Sequence, residues 1–296
     1  MREVPEQSLK KRNAEDKFEM NPTGELLAYK GDLFWYGPTK KEERLIAFGF
    51  RLTGGGAHQS KTLMHAEIGE LLRAGVTEET DFRSRVLDEN ILGKATLSGR
   101  ESVLRNLSSL YGLSTVPLLT RVFLRFARKD SEGQQLLALL IALSRDPLLR
   151  DSAQTVADTA VGMPVQWPSF AARFNALHPG RFSEKMVRSL SQNCASTWTQ
   201  TGHLEGKKKQ RRKVHPSAAA AALAALIATV SGFSGPAILS SGWFRILDLN
   251  PDTAMDALRS AEAHGFARVR AAGDVIEISV KQQLATTLGI PELEHV

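Results

Sequence analysis

The stretch Gln134-Gln135-Leu136-Leu137-Ala138-Leu139-Leu140-Ile141-Ala142-Leu143 decides the fold class. Its apolar side chains point in almost every direction around a helix, which predicts a helix buried on all sides at the centre of a bundle. Helical spacing repeats on both flanks. Upstream, Leu63, Ile68, Leu71 and Leu72 share one face that stops at Ala74-Gly75, a helix C-terminus. Thr77-Glu78-Glu79 opens a second unit with Phe82, Val86 and Leu87 inward, and Asn90-Ile91-Leu92-Gly93 closes it. Ser98 begins a third helix carrying Val103, Leu104, Leu107 and Leu110, and Val116 to Phe126 form a fourth. Downstream, Pro147 permits a new start, and Met163-Pro164-Val165-Gln166-Trp167-Pro168 reads as a connection. Phe170 to Leu177 and Ser183 to Thr199 are helical again. Ahead of the bundle, Ile46, Phe48, Phe50 and Leu52 alternate, predicting a short extended segment that Thr53-Gly54-Gly55-Gly56 breaks.

The C-terminal part has a different rhythm. Ser217 caps an alanine-rich helix ending at Ser231-Gly232, and Pro236 to Leu247 gives a short helix. Asn250-Pro251-Asp252 supplies a cap, a first-turn proline and an acid at the positive end of the dipole. The helix it opens buries Ala254, Leu258 and Ala261, and Ala267 to Val280 then read as a hairpin. The chain therefore reads as mainly α. A polar N-terminal arm (1–46) precedes a helical bundle (47–205), followed by a basic linker (206–216) and a winged-helix-like module (217–296). Within the arm, Leu33-Phe34-Trp35-Tyr36 is the apolar island that packs onto the body.

With 296 residues, 42% hydrophobic and 24% charged, the chain has the balance of a folded protein with a sizeable core. Cys194 is the only cysteine, which excludes an intramolecular disulfide framework and a multi-cysteine zinc site. The longest apolar run, Ala218 to Val230, has 13 residues, short of the about 20 that a bilayer requires. The polar N-terminus lacks a signal-peptide core, so the expected location is the cytoplasm.

Positive charge is concentrated in one place. Between Arg181 and His215 there are nine Lys/Arg against two acids, a local +7 in a chain of net charge +6. The run Lys207-Lys208-Lys209-Gln210-Arg211-Arg212-Lys213 suits phosphate neutralisation with counterion release, whereas a solvated basic linker is its plain structural alternative. Lysine on phosphate positions a protein without reading bases. Arg181, Lys185 and Arg188 follow four-and-three spacing, which puts them on one helical face. By contrast, Ile246 to Val280 carries six acids against three basic residues. That composition disfavours base reading by the winged segment, although Arg268 and Arg270 remain able to touch a backbone.

Signals for catalysis are sparse. Gly55-Gly56-Ala57-His58-Gln59-Ser60-Lys61-Thr62 approaches the phosphate-binding pattern of P-loops, but Ser60 stands where the second glycine belongs. The nearest candidate for the magnesium aspartate, Asp146, ends a helix instead of a strand. A sharp turn against the first helix accounts for the glycines more simply. The seven histidines are scattered, and His58 and His65 lack a third ligand. Cys194 sits in a helical run without an activating neighbour and reads as buried and inert. The expectation is a non-enzymatic protein with no metal and no cofactor.

Several ordered segments carry a resemblance. They are Phe48-Gly49-Phe50-Arg51-Leu52-Thr53-Gly54-Gly55-Gly56 with Ser60 and Leu63, and Ile68-Gly69-Glu70-Leu71-Leu72-Arg73-Ala74-Gly75. Val86 to Lys94, Ser98-Gly99-Arg100 and Leu104 to Leu113 complete the series. Together they resemble the BrxA family of bacterial BREX phage-defence systems over roughly residues 47 to 115, about a quarter of the chain. The resemblance implies a non-enzymatic protein that binds double-stranded DNA without strong sequence preference. It implies a helical domain similar to the antitermination protein NusB. The implied partners are a DNA methyltransferase, an ATPase and a phosphatase-like subunit. The long polar N-terminal arm and the length depart from the family's usual pattern.

Resemblance and charge together give a candidate DNA-binding set of Lys207, Lys208, Lys209, Arg211, Arg212 and Lys213, then Arg100 and Arg105, then Arg181, Lys185 and Arg188. Two other readings are open: an RNA-binding protein of the NusB kind, and an assembly module in which the basic run is a linker. The chain lacks the aromatic sheet motif that usually marks single-strand RNA reading.

Overall fold

The computed structural model describes residues 19–20, 26–28, 33–272 and 275–296. At its centre lies α5 (Gln134–Arg145), in which every residue from Leu136 to Arg145 is buried. Around it pack α3 (Leu97–Tyr111), α4 (Leu118–Lys129) and α6 (Pro147–Ala157). The shorter α2 (His65–Arg73) rests on α4 and α5. Asp146 ends α5 and caps α6, accepting from Leu148 N and Leu149 N at 3.1 and 3.2 Å, so one residue sets the corner between them.

The alanine-rich helix is α9 (Ala218–Val230), capped by Ser217 on Ala220 N at 3.1 Å. It packs on α4 and α5 as well as on its own neighbours, α10 (Gly242–Arg245) and α11 (Pro251–Ala263). Its small side chains let adjacent helices approach closely, and one hydrophobic cluster accordingly runs from Leu33 to Leu293. The helix–helix–helix–hairpin order read from sequence is present as α9, α10, α11 and the antiparallel pair β5 (Arg268–Ala272) and β6 (Val275–Ser279). The helix expected over Pro236 to Leu247, however, is broken into a 3-10 turn (Gly235–Ile238) and the four-residue α10. After the hairpin, α12 (Lys281–Leu288) returns to pack on α4. The short pair β1 (Glu19–Met20) and β2 (Leu26–Ala28) stands ahead of the body. The rest of the arm before Leu33 lies outside the described residues, as does the tip of the β5–β6 turn. From Leu33 onward the arm is anchored: Gly242 N donates to Phe34 O at 2.8 Å, and Trp35 meets Trp243 edge to face at 4.9 Å.

The structure corrects three further expectations. Residues read as an extended segment form α1 (Glu42–Phe48), with Leu45 and Phe48 buried and Ile46 59% exposed. The apparent alternation came from joining a helix to the loop beyond Gly49. The unit after Thr77 is helical but wound as a π-turn over Ser84–Asp88, closed by Glu89 N on Ser84 O at 3.1 Å. The supposed linker is an antiparallel hairpin, β3 (Leu204–Glu205) with β4 (Gln210–Arg211).

Candidate nucleic-acid interface

That hairpin fixes the basic run against the bundle. β4 is flanked on its other side by residues 162–165: Gly162 N donates to Arg211 O (2.8 Å), Arg211 N to Met163 O (2.8 Å) and Val165 N to Lys209 O (2.9 Å). Residues 162–165 lead directly into α7 (Trp167–Leu177), which packs along α8 (Glu184–Gln200) as a helical hairpin. The basic turn, Trp167 and the exposed face of α8 are thus held in one framework.

Two concavities meet at Trp167. One, of about 540 Å³, is lined by Trp167, Asn175, Phe182, Lys185 and Arg188 among others. The other, of about 390 Å³, is lined by Trp167, Gln192, Ser196, Lys207 and Lys209 with their neighbours. The Arg188 guanidinium lies over the Trp167 ring, 5.1 Å from its centroid, and Arg181 lies over Phe182 at 4.9 Å. Lys209 Nζ donates to Thr199 Oγ1 at 3.0 Å, which orients its ammonium along α8. Lys185 and Arg188 are exposed on α8, as their spacing of three requires, whereas Arg181 is exposed in the turn ahead of the Ser183 cap, so the expected shared helical face does not include it.

Within the run itself the side chains divide. Lys207, Lys208 and Arg212 are exposed, and Lys209 and Lys213 are half-buried. Arg212 pairs with Glu205 across the hairpin at 3.2 Å. Arg211 is 2% exposed and belongs to the core. Strand alternation turns it inward between outward-facing Gln210 and Arg212. Both its terminal nitrogens engage the carboxylate of Asp248, and Nε donates to Val156 O at 3.1 Å. Arg211 therefore leaves the set of residues available to phosphate. Arg100 is also turned inward, donating from Nη1 to Leu87 O at 2.6 Å, with its Nε buried and unpartnered. Arg105 is exposed on α3 and faces a different cavity, shared with Arg51, Arg83 and Arg145.

The residues weighed for catalysis form a sealed network. His58 is buried, with Nδ1 2.7 Å from Asp146 Oδ2 and Nε2 2.8 Å from Thr197 Oγ1. The Nδ1–H of His58 donates to the Asp146 carboxylate, and Nε2 shares its hydrogen bond with the Thr197 hydroxyl. Leu63 N fills the remaining role by donating to Thr197 Oγ1 at 2.9 Å. The order carboxylate, imidazole, hydroxyl is that of an activated nucleophile. All three side chains are shut off from solvent, however, so no substrate reaches the hydroxyl. Burial works to raise the Asp146 carboxyl, but the charge and hydrogen bonds of His58, with the Leu149 N–H, hold it below the usual carboxylate range.

Gly56 explains the glycine loop: a Cβ there would lie 1.7 Å from Asp146 Oδ1, so only glycine lets the loop close on this network. Burial pushes the Cys194 thiol well above its ordinary range, with the nearby Asp146 charge acting in the same direction. Among the described residues, no cluster of three or more His, Cys, Asp or Glu is placed to hold a metal ion. No helix among them is long and apolar enough to cross a membrane.

Trp167 was not singled out from sequence for a functional role. It lies 21 residues before Arg188, and only the α7–α8 pairing brings the two together. No family model, no curated protein and no solved structure matches the chain.

Proposed function

We propose that this chain is a non-enzymatic double-stranded DNA-binding accessory protein that grips the phosphate backbone with little sequence preference. The observation that carries the reading is the placement of Trp167 between two sets of cations, Lys185 and Arg188 on α8 and Lys207 and Lys209 on the hairpin. Clustered cations that face solvent neutralise phosphates and release counterions, and none of these four forms an ion pair among the described residues. Lys207, Lys208, Lys209, Arg212, Lys213, Arg181, Lys185 and Arg188 make up the proposed contact set. The exposed acids of α11, Asp252, Asp256 and Glu262, point away from a role for that helix in reading DNA.

In this reading residues 47–205 form a NusB-like bundle, and α9 to β6 form a winged-helix-like module that serves assembly. The resemblance of the motifs between Phe48 and Leu113 to the BrxA family supports a role in a BREX phage-defence system, beside a methyltransferase, an ATPase and a phosphatase-like subunit. Duplex binding across a salt series tests the proposal. Replacing Lys185, Arg188, Lys207 and Lys208 with alanine should flatten the dependence of log affinity on log salt by about 0.9 per lost phosphate contact. Equal binding by the native and substituted proteins would refute the interface. An RNA duplex of matched length that displaces the DNA at equal concentration would favour an RNA-binding protein instead.

A further inference from the structure

A second positive feature stands apart from the α8 face, where the end of α3 meets the end of α5. Arg51, Arg83, Arg105 and Arg145 line one open cavity of about 590 Å³, together with Ser108, Ser109 and Ser114. Glu101 is the single carboxylate on its lining. Among the described residues, no ion pair joins any of the four arginines to an acid.

Arg145 is the unusual member. It is only 9% exposed, yet its three hydrogen bonds all go to backbone carbonyls: Nε to Ser109 O (3.0 Å), Nη1 to Gly49 O (2.5 Å) and Nη2 to Ser108 O (3.4 Å). Two of these carbonyls belong to the last turn of α3, so the negative end of that helix offsets part of the charge. The remainder is uncompensated, and two of the five guanidinium N–H groups are left over. Arg51 increases the imbalance. Its Nη1 donates to Ser109 Oγ at 2.6 Å, which fixes a second guanidinium beside the first on the same serine. Burial, reinforced by the Arg51 charge, depresses the Arg145 pKa to about 10. Two like charges held together at a buried wall with spare donors are stabilised by an anion between them.

We propose that this cavity is a binding site for a dianionic phosphoryl group, held by Arg51 and Arg145 at its inner wall and closed over by Arg105 and Arg83. The serine hydroxyls supply further donors to the oxygens. The volume exceeds that of phosphate alone and suits the remainder of a nucleotide-sized molecule or the terminal residue of a nucleic-acid strand. The site does not depend on the α8 face, since the two share no lining residue.

The test is thermal unfolding and calorimetric titration of the full chain with inorganic phosphate, against chloride at matched ionic strength. A mononucleotide is titrated in parallel with blunt duplexes carrying either 5′-phosphate or 5′-hydroxyl ends. The native protein should be stabilised by phosphate. Arg51→Gln and Arg105→Gln should each weaken phosphate by about tenfold, the effect of losing one charged hydrogen-bond donor. Both side chains reach solvent, so these variants should fold, whereas an Arg145 variant risks losing the tie to α3. Lys207→Ala/Lys208→Ala should leave phosphate binding unchanged, which separates this site from the proposed DNA face. A stronger response to the 5′-phosphate end than to the 5′-hydroxyl end assigns the phosphoryl group to a strand terminus. Equal response to both ends, with a response to the mononucleotide, assigns it to a free small molecule. No response to any phosphate species, or a response that survives in both arginine variants, overturns the proposal.

Discussion

Replacing Arg211 with methionine should destabilise the protein without changing how its salt-dependent DNA binding scales. The chain keeps a side chain of similar length but loses a guanidinium buried to 2% exposure. Asp248, 4% exposed, would then retain only the Val214 N–H at 2.8 Å as a partner. The carbonyls of Val156 and Arg212 would lose their side-chain donor. Removing one member of a buried ion pair costs about 3–5 kcal/mol, because the other charge stays behind without compensation. The middle of that range applies here: the Arg212 carbonyl loses its side-chain donor as well, whereas the Val156 carbonyl keeps the Thr159 N–H at 3.3 Å. In a chain of this size that corresponds to a fall in unfolding midpoint of about 10 °C. Urea denaturation of Arg211→Met, of Asp248→Asn and of the double variant would measure it. Asparagine suits the left-handed backbone at Asp248 (φ 59°) and still accepts from Val214. The double variant should therefore recover at least half of the loss, the coupling expected of a direct pair. A loss below about 1 kcal/mol for Arg211→Met, in the range of ordinary surface changes, would show that the hairpin is the solvated linker its charge suggested.

Other outcomes follow from the same geometry. Lys207→Ala/Lys208→Ala should lower the salt slope of duplex binding by about 2 and leave the urea midpoint unchanged. Stability should fall as pH drops from about 6.5 to about 4. Burial, and then the Arg211 charge, depress His203 to about 4, so the unfolded chain takes up a proton that the native state refuses. The full contribution is about 3 kcal/mol, intact above the unfolded pKa and lost towards pH 4, and His203→Gln should flatten that limb of the stability profile. Gly56→Ala should cost about 1–3 kcal/mol by forcing the Asp146 carboxylate off His58, which thermal unfolding would register as a lowered midpoint.

What the sequence disclosed follows from which signals are local. The burial of α5 was legible because it is apolar on all sides, and α9 was legible as a helix from its Ser217 cap and its alanines, though not as a buried one. The start of α11 was legible because Asn250, Pro251 and Asp252 signal it within three adjacent residues, and the structure adds a reciprocal bond between Asn250 and Thr253. By contrast, α1 was misread because the spacing of Ile46, Phe48, Phe50 and Leu52 crosses a helix terminus, and a period has no meaning across such a break. Arg211 was hidden inside a run in which every charge looked alike. Only strand alternation, and an acid 37 residues away, pick it out. Trp167 and Arg145 depend on partners from other helices, which no spacing along the chain announces.

The count of charges therefore misjudged the electrostatics in two opposite ways. The local excess between Arg181 and His215 is smaller at the surface than in the sequence, because Asp248, which lies outside that span, cancels Arg211 in the core. The cations that remain are solvated, and their reach ends within a Debye length of about 8 Å at physiological salt. Arg51, Arg83 and Arg145 were invisible to the count, and Arg105 entered only as a candidate DNA contact, because the four are spread over 95 residues of chain; yet they converge on one cavity. Arg145 is buried there, so its field is screened far less than that of a surface lysine. Salt consequently separates the two features: raising it should release a ligand from the α8 face well before it releases an anion held at Arg145.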